Sequence, residues 1–204
     1  HLERLGAKAA LLAVTRPLET TDRRFRPEAA QKLIDNLLKV PIRSPTGVTD
    51  VSGEYVEPLH LQLVCTKLWN SLPAGVKDID ESYIENLGDV DEALADYYER
   101  CIREVAAAAG VSEGTLRAWF ERTLITADGV RGLVPKGDEF TGGLANAAVE
   151  RLQRLYLIRT EMRGVNPWYE LTHDRFVAPI RSSNERWRDT AGAGQNNVLE
   201  LEAR

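Results

Sequence analysis

The sequence predicts a mainly α chain of two lobes, a helical bundle followed by a lobe that adds a small antiparallel β-hairpin. Three observations predict it. Apolar residues recur at i, i+3, i+4 and i+7 through most of the chain, and Pro or Gly punctuates those runs at helix-length intervals. After Leu155 the period changes to that of strands, in two short runs separated by Gly164 to Pro167. With 204 residues, 43% of them hydrophobic, the chain has enough apolar surface for one or two packed domains.

In the first lobe, residues 1–88, Leu5, Ala9, Leu12 and Ala13 keep helical spacing until Pro17 forbids easy continuation. Pro27 suits a first helical position, and Ala30, Leu33, Ile34, Leu37 and Leu38 then mark one buried face up to Pro41. The stretch Pro41 to Gly53 is a turn-forming mixture of Ser, Pro, Thr, Gly and Asp and reads as a flexible loop. Pro58 opens a helix whose apolar residues, Leu59 to Trp69, crowd both faces, as in a central, mostly buried helix. Asp80 suits the N-cap of a smaller helix with Tyr83, Ile84 and Leu87 inward, and Gly88 suits its stop.

The second lobe, residues 89–189, opens with an acidic turn at Asp91. Leu94, Tyr97, Cys101, Ile102 and Val105 then carry one helical face to Gly110. Ser112 caps a second helix on Leu116, Trp119, Phe120 and Leu124, and Gly129 to Pro135 reads as a short strand or extended connector. A third helix occupies about Leu144 to Leu155, and Leu157 to Arg163 with Trp168 to Thr172 forms the hairpin. Three helices followed by a hairpin describe a winged helix. A last helix, near Asp174 to Arg188, buries Phe176, Ile180 and Trp187, with Pro179 marking a kink or its first turn. Residues 190–204 read as a flexible tail.

Composition removes several classes of function. The 26 Lys and Arg against 31 Asp and Glu give a net charge of −5, which argues against binding nucleic acid by bulk charge. Cys65 and Cys101 lie 36 positions apart without metal-ligand spacing, which fits a reducing, cytoplasmic compartment and no metal site. No apolar run approaches the roughly 20 residues of a membrane span. A start at His1 rather than Met reads as a piece cut from a longer protein. The string Gly132 to Glu139 has the glycine spacing of a phosphate loop but puts Asp138 where Lys is required. His60 and Cys65 lie about 140° apart around one helix, too far for a nucleophile and its base. The chain by itself therefore carries no catalytic residues.

Two stretches concentrate what chemistry there is. In Val56-Glu57-Pro58-Leu59-His60 a proline heads a buried helix, and in Thr172-His173-Asp174-Arg175-Phe176 a histidine stands where a wing strand ends and a helix begins. Backbone N–H groups at such a junction favour an anion. With the opening helices and Phe25-Arg26-Pro27-Glu28-Ala29, these stretches resemble the region that follows the nucleotide-binding domain in bacterial STAND-class signal-transduction NTPases of the NACHT/NB-ARC kind. The likeness covers about residues 2–188. Glu57-Pro58-Leu59 resembles the family's Gly-x-Pro motif, with Val56 in place of the glycine, and Thr172-His173-Asp174 resembles its Met-His-Asp motif.

That resemblance implies a lid and a latch: Pro58 packs near the adenine and His173 contacts the β-phosphate of ADP. The phosphate loop and magnesium carboxylates are supplied by an upstream P-loop domain of the same chain, so this segment alone would not hold ADP or ATP tightly. It further implies effector or sensor domains as partners and a homo-oligomer on activation, with no membrane and no nucleic acid. The alternative is a winged-helix DNA-binding transcriptional regulator that reads a groove with the Leu144–Leu155 helix, using Asn146, Glu150, Arg151, Gln153 and Arg154. A third class is a protein-interaction adaptor.

Overall fold

A computed structural model describes residues 4–44, 47–87 and 90–202, and all of their side chains except those of 40–50 and 191–202. The chain is mainly α, with small sheets, and divides into two compact units, His1–Leu94 and Ala95–Arg204.

The first unit starts with β1 (Leu5–Gly6) and α1 (Ala7–Thr15), and Pro17 turns the chain into a 3-10 helix over Arg16–Thr20. After β2 (Arg24–Phe25), α2 (Pro27–Leu38) has its proline at the first turn and buries Ala29, Ala30, Leu33, Ile34, Leu37 and Leu38. The expected flexible loop between Pro41 and Gly53 is instead mostly paired: β3 (Lys39–Ser44) and β4 (Gly47–Ser52) form an antiparallel hairpin in the register Val40↔Val51 and Ile42↔Thr49. Turn formers dominate the composition there, but the β-branched residues between them recur every second position, which is what a ladder needs. The turn residues Pro45 and Thr46 lie outside the described residues.

β5 (Tyr55–Val56) pairs with β1 and leads into α3 (Pro58–Ser71), which buries His60, Leu61, Leu63, Val64 and Leu68. β6 (Asp78–Ile79) runs parallel to β2. Asp80 then caps α4 (Glu81–Asn86), accepting from the Ser82 N–H at 3.0 Å, and the Ser82 contacts hold its carboxyl below the usual range. Gly88, expected as the helix stop, lies outside the described residues.

The second unit takes most of α5 (Val90–Ala109), which Gly110 ends at φ +64°. Ser112 caps α6 (Glu113–Trp119), and the chain continues into a π-helical turn over Phe120–Leu124. β7 (Val134–Pro135) follows, then the short pair β8 (Phe140–Thr141) and β9 (Leu144–Ala145). α7 (Asn146–Arg154) starts two residues later than the apolar spacing predicts, because Leu144 and Ala145 pair with β8. β10 (Ile158–Arg163) and β11 (Asn166–Leu171) form the hairpin, and Arg163 pairs with Asn166. The loop is therefore two residues, Gly164 and Val165, not four. β7 adds to β11 as a third strand, giving the order β10-β11-β7.

After a 3-10 turn at Asp174–Phe176, α8 (Val177–Glu202) places Pro179 in its first turn, where a missing N–H is harmless. Its backbone continues well past the Arg188 end that the apolar residues mark and through most of the expected flexible tail, since nothing after Thr190 breaks a helix as proline would. Tyr98, Ile102, Leu116, Phe120, Leu152, Leu171, Phe176 and Ile180 fill the core of this unit. Among the described residues no helix is long and apolar enough to cross a membrane.

Candidate functional site

Pro58 belongs to the first unit and His173 to the second. Pro58 is the first residue of α3 and is half-buried. The residue before its cap, Val56, is paired with Leu5 and fully buried, so a side chain is accommodated where the resembling motif has glycine. Glu57 holds Arg4 at 2.7 Å and fixes the approach to the helix.

His173 stands between two anchored residues. On one side the Thr172 hydroxyl donates to the Tyr156 carbonyl at 2.8 Å, and the Thr172 N–H donates to the Leu157 carbonyl at 3.1 Å. A methionine in this place could make only the backbone bond. On the other side Asp174 meets the Arg131 guanidinium, whose Nη1 also reaches Glu170 at 3.2 Å and the Leu171 carbonyl at 3.1 Å. Glu170, with its side chain only 11% exposed, also accepts from Arg159 Nε at 2.7 Å, its cross-strand partner. Strand β11 is thus clamped up to the residue before the histidine motif.

The imidazole itself caps the 3-10 turn: its Nδ1 accepts from the Arg175 N–H at 3.0 Å, while the His173 carbonyl accepts from Phe176 at 3.2 Å. That bond fixes the tautomer. A nitrogen that accepts carries no proton, so in the neutral ring the proton sits on Nε2 and Nε2 is the donor.

Among the described residues the other candidate groups named above serve structural contacts. Burial pushes both thiols, Cys65 and Cys101, up to about 11, so neither is a thiolate nucleophile at neutral pH. In the glycine-spaced string N–H groups are already committed to backbone carbonyls, Gly132 N–H to Leu124 O and Lys136 N–H to Pro167 O. Asn146, which the DNA-binding alternative places at a groove, ties down the preceding loop through Gly137 O and Asp138 O, each at 2.9 Å. Gln153 donates to Thr160 at 3.1 Å. Among the described residues no group of His, Cys, Asp or Glu side chains is arranged to hold a metal.

Two features escape sequence reasoning. Arg117 is 5% exposed, with Nη1 on Ser183 Oγ and Asn184 Oδ1, both at 3.0 Å, and its guanidinium lies against the Tyr98 and Trp187 rings. The partners of its Nη1, Ser183 and Asn184, lie more than 60 residues away in sequence, so no local pattern announces that contact. Tyr156 has φ 55° and follows α7 directly; the only signal is that no Gly or Asn follows that helix to take the left-handed position.

No protein-family model matches this chain, and no curated protein or solved structure matches it significantly.

Proposed function

We propose that the chain is the regulatory lid and winged-helix segment of a STAND-type NTPase switch. His173 donates Nε2–H to the β-phosphate of ADP, and Pro58 packs near the adenine. A P-loop domain earlier in the same chain supplies magnesium binding and hydrolysis. Exchange for ATP removes the contact that favours the closed state and leads to oligomer formation and signalling through effector or sensor domains, in the cytoplasm. A ligand shifts such an equilibrium only through its different affinity for the two states.

The observation that carries this reading is the His173 environment: a donor of fixed tautomer, held on both sides, at a strand-to-helix junction. The order helix, helix, strand, helix, hairpin, with β7 joined to β11, supports the winged helix. A hydrogen bond to a charged group is worth about 1.5–3 kcal/mol, enough for a ten- to hundredfold change in population.

The test separates the donor from the cap. In the intact protein His173→Asn keeps an N-cap acceptor, but its amide N–H groups end short of the Nε2 position, while His173→Ala has neither acceptor nor donor. Both variants are expected to retain ADP ten- to hundredfold less well, measured as nucleotide released from the purified protein. Only His173→Ala is expected to lose about 1 kcal/mol of stability as well. If His173→Asn holds ADP like the wild type, the latch is wrong. Salt-sensitive binding of duplex DNA with unchanged ADP retention would select the DNA-binding reading.

A further inference from the structure

The C-terminal end of α7 holds a second feature, which does not rest on the ADP latch. The helix closes with a pair of bonds, Leu157 N–H to Leu152 O at 3.1 Å and Tyr156 N–H to Gln153 O at 2.9 Å. This is the arrangement that places one residue in the left-handed region, normally glycine. Among the described residues every other positive-φ position is glycine; here it is tyrosine, a residue 61% exposed. The ring gains little burial in return for the strain. An exposed residue held in a sparsely allowed conformation points to a site.

The ring borders an open cleft of about 470 Å³, lined also by Lys136, Glu150, Gln153, Arg154 and Tyr169. Among the described residues no ion pair engages Lys136, Glu150 or Arg154, so two cations and one carboxylate line one cleft and positive charge is in excess there. At this end of α7 the carbonyls of Arg151, Leu152 and Gln153 accept from the N–H groups of Leu155, Leu157 and Tyr156 respectively. His173 does not line this cleft.

We propose that this cleft binds a nucleoside monophosphate or a nucleotide of similar size. The base stacks on Tyr156, the phosphate meets Lys136 and Arg154, and Glu150 accepts from ribose hydroxyls or an exocyclic amino group. The volume lies in the range of about 300–1,000 Å³ typical of small-ligand sites, and the open, polar lining makes binding weak.

Amide NMR of the chain, titrated in separate arms with AMP, adenosine and inorganic phosphate, tests this. AMP is expected to give saturable shifts around Lys136, Arg154 and Tyr156, at least about tenfold tighter than either half alone. Absence of saturation, or phosphate binding as tightly as AMP, overturns it. Tyr156→Gly relieves the left-handed strain and removes the ring, so Tm should rise by about 2–4 °C while AMP affinity falls at least about fivefold. Tyr156→Phe should bind AMP within about twofold of wild type, as should His173→Asn, which separates this cleft from the latch. A Tyr156→Gly variant that binds AMP unchanged would overturn the assignment.

Discussion

Arg117→Ala is expected to destabilise the second unit by about 3–5 kcal/mol, a large share of the stability of a domain. The guanidinium joins α6 to α8 through Ser183 and Asn184, donates to Glu113 at 3.4 Å in an ion pair whose carboxylate is partly exposed, and has one nitrogen, Nε, without a partner. Asn184 in turn accepts from Tyr98 at 3.1 Å, and Ser183 donates to Glu99 at 2.9 Å, so truncation leaves a hole bordered by polar atoms on two helices. Arg117→Met fills most of the volume without a charge and should cost far less, because the buried cation is itself expensive to desolvate. Urea midpoints at constant m would settle it. An alanine variant within about 1 kcal/mol of wild type would mean that the guanidinium's attractions only cancel its burial cost.

Gly137→Ala should cost about 3 kcal/mol for a different reason, the close approach of two backbones. A Cβ there would stand 2.0 Å from the Phe140 carbonyl oxygen, in a turn that cannot easily relax. Asn146 holds the Gly137 and Asp138 carbonyls from one side, and Thr141, whose own carbonyl accepts from Trp119 Nε1 at 2.8 Å, receives the Gly137 N–H at 3.3 Å. Gly143, at φ +83° with open space around it, is the control: alanine there meets only backbone strain, roughly 1–2 kcal/mol. Thermal unfolding of the pair should rank Gly137→Ala well below Gly143→Ala, and equal losses would remove the steric argument. Because β7 lies just before this turn and pairs with β11, the larger defect should also loosen the strand that presents His173.

Legibility in the sequence followed the range of the interaction. Helices α2, α3, α4 and α6 begin where Pro27, Pro58, Asp80 and Ser112 say they should, since a cap or a fixed φ acts within one turn. The hairpin of β10 and β11 shows in the sequence as a change of period, but its loop length does not, because register depends on which residues pair across the strands and Asn166 pairs with Arg163. The same limit hid β3 and β4 behind a turn-rich composition.

For the candidate site, position and geometry came from different sources. By itself the sequence determined that a histidine follows a strand and precedes a helix, and that a proline heads a buried helix, because both facts are local. Only the tertiary structure decided that Thr172 reaches back to Tyr156, that Arg131 bridges Glu170 and Asp174, and that His173 caps with Nδ1 and so keeps its proton on Nε2. Those bonds join residues up to 43 positions apart, and one chain read along its length carries no record of which distant groups will meet.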